Sequence, residues 1–350
     1  MNFNKEQETA VSHKDGPMMV LAGPGSGKTT VITHRIMRLL EQGVSPSGIL
    51  VITFTKAAAV EMKERFLSLA SGAAMKKEES GRVSFGTFHS VFYQILRLAY
   101  GFPAGSVIGE EEKRGFFKEF LAKSSLEVED EGEFISSVIS EISHVKEERL
   151  DLRYYYSQNC PEEWFKKLYR GYEEMLHRTG KLDFDDMLVM CYDLFSKRKD
   201  ILAAWQRKYR YILVDEFQDI NRLQYEIVRM LALPENNLFI VGDDDQSIYR
   251  FRGAKPEIML GFEKDYPDAA RVLLSYNYRS TREIVSASLR LIGHNKVRFP
   301  KELKPSHGAG RPADLRIYEN PVREMEAAAR ELRLYRQAGY AYEDMAVLFR

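Results

Sequence analysis

Residues 22–30 read Ala-Gly-Pro-Gly-Ser-Gly-Lys-Thr-Thr, between the apolar run Met18–Leu21 and the helix-patterned stretch Val31–Leu40. A strand, a glycine-rich turn and a helix start, in that order, make a phosphate-binding loop. Backbone N–H groups freed by Gly23, Gly25 and Gly27 can point inward at phosphate oxygens, and the following helix adds its positive N-terminal end. Lys28 would reach the β- and γ-phosphates and the Thr29 hydroxyl would hold Mg²⁺. Ala22 stands where the pattern opens with glycine, a small residue the turn should tolerate. An ordinary glycine turn would leave the Lys-Thr pair unexplained. The expectation is a nucleoside-triphosphate site formed by Ala22, Gly23, Pro24, Gly25, Ser26, Gly27, Lys28, Thr29 and Thr30.

The chain has 350 residues, room for two or three domains. Lys+Arg and Asp+Glu both number 51, so there is no global field to attract nucleic acid, and any such site must be a local groove. Cys160 and Cys191 lack metal-ligand spacing and argue against a disulfide scaffold, which points to a reducing compartment. No apolar run approaches the roughly 18 residues of a membrane span, and the N-terminus has no apolar signal core. The expectation is a soluble cytoplasmic protein, in bacterial cytosol or nucleoid, with no membrane partner.

Short apolar runs alternate with helical patterns: Met18–Leu21, Ile49–Phe54, Val83–Phe85, Tyr211–Val214, Leu238–Val241 and Val272–Leu274. That alternation predicts an α/β fold with a parallel sheet covered on both faces. Residues 88–207 break the rhythm with helix-period spacing, as in Phe116, Phe117, Phe120 and Leu121. They read as an inserted all-helical subdomain. Residues 301–312 read as a loop. A strand Asp314–Tyr318, a helix Arg323–Gln337 and a strand Met345–Phe349 should follow, as the start of another α/β unit. The division expected is 1–86 with 201–270, an insert at 87–200, and an incomplete further domain at 271–350.

Two strand ends carry the chemistry. Tyr211–Val214 runs into Asp215 and Glu216, and open α/β sheets do their chemistry at the carboxyl ends of strands. Asp215 would coordinate Mg²⁺ directly or through water, and Glu216 would act as general base on the attacking water. Leu238–Val241 runs into Gly-Asp-Asp-Asp-Gln-Ser-Ile-Tyr-Arg-Phe-Arg-Gly-Ala, residues 242–254. Gln246 could bond the γ-phosphate or the water. Tyr249, Phe251 and Arg252 combine rings and a cation, as a single-strand stacking platform needs.

Taken with the further segments below, the chain resembles the N-terminal part of a UvrD/Rep-type superfamily 1 DNA helicase. Phe3 to Gln7 is similar to its adenine-reading motif, with Gln7 on the adenine edge. After the phosphate loop, the resemblance places Arg35 on the adenine. Ile52 to Ala59 and Gly86 to His89 match its DNA-contacting motifs, implying Thr53, Phe54, Thr55, Thr87, Phe88 and His89 as DNA residues. Asn277 to Ser280 resembles the segment where Tyr278 closes over adenine and Arg279 touches the γ-phosphate. Lys56, Ala57 and Phe251 depart from the usual Asn, Lys and Trp, which bears on DNA affinity. The resemblance implies RecA-like P-loop motor domains, the second incomplete here. They would use ATP and Mg²⁺ to move along single-stranded DNA and open duplex junctions. Alternatives are the motor of a helicase–nuclease, or a nucleotide-dependent DNA-binding regulator that does not unwind.

Overall fold

The computed structural model describes residues 3–73, 77–124, 126, 128–248 and 253–349. Its centre is a sheet of six strands: β1 (Met18–Ala22), β2 (Ile49–Thr53), β3 (Ser84–Thr87), β4 (Tyr211–Val214), β5 (Leu238–Gly242) and β6 (Ala270–Leu274). Their order is β3-β2-β4-β5-β1-β6 and every pairing is parallel. Five-residue apolar strands buried at every position suit a sheet covered on both faces. Side chains alternate between the two cores, because successive Cβ atoms leave opposite sides of a strand. Met19, Leu21, Leu50 and Ile52 enter one core, while Met18, Val20, Ile49 and Val51 enter the other.

The second of these cores is closed by α1 (Lys5–Ser12), α2 (Lys28–Glu41) and α3 (Lys56–Gly72), with a short α4 (Lys77–Ser80) before β3. Then come α5 (Phe88–Tyr100), α6 (Glu110–Ala122), α7 (Glu131–Glu147), α8 (Glu162–Thr179), α9 (Phe184–Lys197) and α10 (Lys199–Lys208). Only α6, α7 and α8 share a core of their own, built on Phe117, Ile142, Phe165 and Leu168. By contrast α5, α9 and α10 join α11 (Arg222–Ala232), α12 (Pro256–Leu260) and α13 (Phe262–Asp265) over the first face of the sheet. The helical stretch therefore divides by its cores, not at residues 87 and 200. Lys146 of α7 ties the two parts together. It donates to Asp183 at 3.1 Å and to Asp186 at 2.7 Å, the residues that form the capping box of α9.

Past the sheet, β7 (Tyr276–Asn277) pairs in parallel with β8 (Lys304–Pro305), across α14 (Arg282–Ile292). The last helix is α15 (Pro321–Gln337). Three expectations are corrected here. Residues 271–274 belong to the first sheet, since β6 runs beside β1 in register from Met18 with Ala270 to Ala22 with Leu274. Residues 314–318 and 345–349 form no strand, and Leu315, Ile317, Leu348 and Phe349 are exposed. Their β-type composition finds no partner among the described residues, and a strand exists only through pairing. No described helix is long and apolar enough to cross a membrane.

Candidate active site

The loop after β1 is shaped by its own hydrogen bonds. The Ser26 hydroxyl donates to the Gly23 carbonyl at 2.7 Å, and Gly25 and Gly27 take positive φ of 64° and 88°. Glycine suits both positions because a Cβ resists that conformation. At Gly25 it would also lie 2.5 Å from the Cβ of Arg279. Gly27 is the N-cap of α2 and supplies no side chain to its leading N–H groups, which leaves them to an incoming anion. Lys28 donates to Glu216 Oε2 at 2.7 Å.

The opposite wall comes from β4. Asp215 is buried at the strand end, and its Oδ1 has no hydrogen-bond partner among the described residues. Burial, reinforced by the charge of Glu216, pushes its carboxyl up to about 6. A buried carboxylate oxygen with an open lone pair fits a hard cation. Glu216 sits in the left-handed region at φ 49°, uncommon for a residue with a Cβ. Its Oε2 accepts from both Lys28 and Gln218 Nε2, the latter at 2.9 Å.

Gln218 is the hinge between two strand ends. Its amide nitrogen also reaches Asp219 Oδ2 at 3.1 Å, and its Oε1 accepts the backbone N–H of Asp243 at 2.9 Å. Asp243, just past β5, in turn accepts from Gln246 Nε2 at 2.8 Å. A continuous hydrogen-bonded path thus runs from Lys28 through Glu216, Gln218 and Asp243 to Gln246.

A third wall comes from the segment after β7. Asn277 Nδ2 donates to the Pro24 carbonyl at 2.6 Å, and the Tyr278 N–H donates to the Gly25 carbonyl at 2.8 Å. Asn277 Oδ1 accepts the N–H groups of Arg279 and Ser280, at 2.9 and 2.7 Å. Tyr278 and Arg279 are thereby held over the loop. Tyr278 Oη accepts from Asn4 Nδ2 at 3.0 Å, and Asn4 caps α1 in a box with Gln7. Gln7 donates to the Ser26 carbonyl at 3.4 Å. The result is one cleft of 580 Å³ lined by Pro24 to Thr30, Asp215, Glu216, Gln246, Tyr278 and Arg279, with Ala58, Glu61 and Arg65 of α3 completing it.

Four expected site residues are placed elsewhere. Ala22 is the last residue of β1, fully buried and paired with Leu274, so the open part of the loop starts after it. Arg35 is 1% exposed. It occupies the stripe Ile32, Arg35, Ile36, Leu39, the face of α2 turned to the sheet. Its guanidinium lies 4.3 Å over the Phe239 ring and donates to the Lys14 carbonyl, and burial lowers it to about 9. It does not line the cleft described above. Thr53 is buried and spends its hydroxyl on the Thr55 carbonyl, shaping the turn. Phe88 is 2% exposed and packs on Phe92 in the core under the sheet.

The remaining DNA candidates stand at the carboxyl ends of β2 and β3. Phe54 is half-buried there, Thr55 caps α3, and Thr87 caps α5 through a box with Ser90. His89 makes an edge contact with exposed Phe184 at 5.0 Å, and burial lowers its imidazole to about 4, so it is neutral. Tyr249, Phe251 and Arg252 lie outside the described residues. Phe184 and Gln218 are new. Gln218 lies inside the Asp-Glu motif, where its position between two acids was the available signal.

Phe88→Ala is expected to cost about 3–5 kcal/mol of stability, read as a lower denaturation midpoint, with single-strand affinity unchanged in the folded fraction. An unchanged midpoint beside a lost affinity would return Phe88 to the DNA face.

The UvrD/REP helicase N-terminal domain matches residues 3–267 of this sequence. The chain belongs to the UvrD/REP helicase family. Among its relatives is the ATP-dependent DNA helicase PcrA of Staphylococcus epidermidis, 37% identical over 364 residues, covering 100% of this chain and 48% of that protein. PcrA of Staphylococcus aureus matches to the same extent. The YjcD protein of Bacillus subtilis is 37% identical over 365 residues, 100% of this chain and 46% of its own length. The chain spans about half the length of these relatives. The six-stranded parallel sheet with its loop and strand-end acids is the RecA-like motor architecture of the UvrD/REP family.

Proposed function

We propose that this chain is the ATP-hydrolysing and strand-gripping part of a DNA translocase and helicase. The observation that carries the reading is the convergence of Lys28, Asp215, Glu216, Gln246 and Arg279 on one cleft from four separate parts of the chain. The helicase names of the relatives support it. Thr29 and Asp215 would hold Mg²⁺, which supplies charge neutralisation on the β- and γ-phosphates. The open Oδ1 of Asp215 fits that role. No cluster of three metal-ligating side chains occurs among the described residues, as suits a cation that takes few protein ligands and leans on phosphates.

The Lys28–Glu216 pair sets the order of events. Without nucleotide, the ammonium neutralises the base. A triphosphate in the loop competes for Lys28 with a denser charge, and a charge-assisted hydrogen bond to phosphate is strong. Glu216 is then left with Gln218 alone and is free to take a proton from water. Gln246 reports the event to the segment beyond it through its backbone. Gln7 and Tyr278 flank the place for the adenine.

Single-stranded DNA would cross the carboxyl ends of β2 and β3, stacking on Phe54, His89 and Phe184. Stacking and phosphate contacts imply slight sequence preference. Duplex junctions are the proposed substrate, and the bacterial cytosol or nucleoid the proposed place of work.

The test is nucleotide titration of Lys28→Ala. A fluorescent ATP analogue with Mg²⁺ should lose most of its affinity while circular dichroism stays unchanged. Unaltered affinity would remove the loop from the nucleotide site.

A further inference from the structure

Beneath Gln246 lies a buried charge cluster that neither the loop nor the base explains. The Lys301 side chain is 1% exposed. Its ammonium touches the carboxylates of Asp243 and Asp244 and lies 3.0 Å from Asp245. Arg298 grips Asp245 with two parallel bonds, at 2.6 and 2.5 Å, and the Phe299 N–H donates to Asp244 at 2.9 Å. Three consecutive residues after β5 are thus clamped by three residues that precede β8.

Resting on the ATPase reading above, we infer that Lys301 is a positioning residue for ATP hydrolysis, acting on Gln246 through Asp243. Asp243 is fully buried and divides its oxygens: Oδ1 takes Lys301, and Oδ2 takes the Gln246 amide. Its N–H is already committed to Gln218. Remove the ammonium, and a buried carboxylate loses its counter-charge, a costly state that is relieved by protonation or by rotation. Either relief disturbs the acceptor that aims Gln246. Burial alone would depress the Lys301 amine, but the surrounding aspartates outweigh it and hold it above the ordinary lysine value. The charge therefore persists at neutral pH.

The same clamp fixes the third wall of the cleft. The Lys304 N–H donates to the Ser275 carbonyl at 2.7 Å, and β8 pairs with β7, where Tyr276 faces Lys304. So the stretch 298–305 holds Gln246 from one side and the Asn277–Arg279 segment from the other. Lys301 belongs to the first clamp and lies three residues before Lys304, which makes the second.

The experiment uses the full-length protein and compares Lys301→Met and Lys301→Arg with wild type, by DNA-stimulated ATPase and by binding of a fluorescent ADP analogue. Lys301→Met should lower kcat by about 10–100-fold, the range for a group that orients a catalytic one, with ADP affinity preserved. Lys301→Arg should recover part of the loss. In a Gln246→Ala background, Lys301→Met should add little, since residues acting as one unit are not additive. Where Lys301→Met unfolds, the paired Lys301→Gln, Asp244→Asn variant keeps the net charge of the cluster and should show the same kcat loss. A normal kcat in folded Lys301→Met, a raised KM alone, or losses that multiply with Gln246→Ala each overturn the positioning role while leaving the ATPase reading intact. Absence of any ATPase in wild type overturns both.

Discussion

Glu216→Gln in the full-length protein is expected to lower kcat for ATP by about 10²–10⁴-fold, the contribution typical of a general base, while nucleotide affinity holds or tightens. The amide has the shape of the carboxylate and can still meet Gln218, whose nitrogen lies 2.9 Å away. It cannot accept the proton of water. Nor can it pair with Lys28 as an ion, so the competition at 2.7 Å that nucleotide must win is weakened. This combination separates the base from a merely structural acid. A structural role would lower affinity and stability together. Single-turnover hydrolysis beside a titration of nucleotide gives the two numbers, and normal turnover would end the general-base assignment. Asp215→Asn should differ in kind. It removes the charge but not the volume of a buried group, and the deficit should appear as a higher Mg²⁺ requirement.

Much of this site was legible because its parts are local. The phosphate loop is one continuous segment, and Asp215, Glu216 and Gln246 each follow an apolar run short enough to be a buried strand. Parallel pairing then brings those strand ends to one edge. Motif membership says nothing about direction, and there the reading failed. Arg35 and Phe88 lie in the right segments, but each falls on the apolar stripe of its own helix, with Ile32 and Ile36 in one case and Phe92 and Ile95 in the other. Helical period, not motif resemblance, decides where such side chains point. Residues 314–318 carry a strand composition and form none, because pairing is a property of two segments. Lys301 was invisible for the same reason: its partner Asp243 is 58 residues away, and nothing in a loop-like stretch marks which lysine will be buried.

Arg279→Ala is expected to have the largest kinetic effect of all, a fall in kcat of about 10³–10⁵-fold, as for an arginine that meets the transferring phosphoryl group. The backbone at this residue is held through Asn277. Asn277 bonds Pro24 on the loop and at the same time accepts the Arg279 N–H, and the Arg279 Cβ rests where Gly25 has no side chain. Arg279 is exposed and lines the cleft, so its freedom is that of the side chain alone. A group so placed can bind weakly in the ground state and strongly when charge builds on the γ-phosphate, which raises kcat and not affinity. Nucleotide binding by Arg279→Ala should therefore stay within a few-fold of normal. Arg279→Lys should recover little, because an ammonium lacks the planar fork that meets two phosphate oxygens at once. Gly25→Ala should lower turnover and nucleotide affinity together, since its new Cβ would sit 2.5 Å from Arg279 Cβ on a loop backbone at φ 64°. If DNA-stimulated turnover of Arg279→Ala were close to normal, the segment after β7 would be a brace for the loop, and the transition-state charge would have to be met from elsewhere.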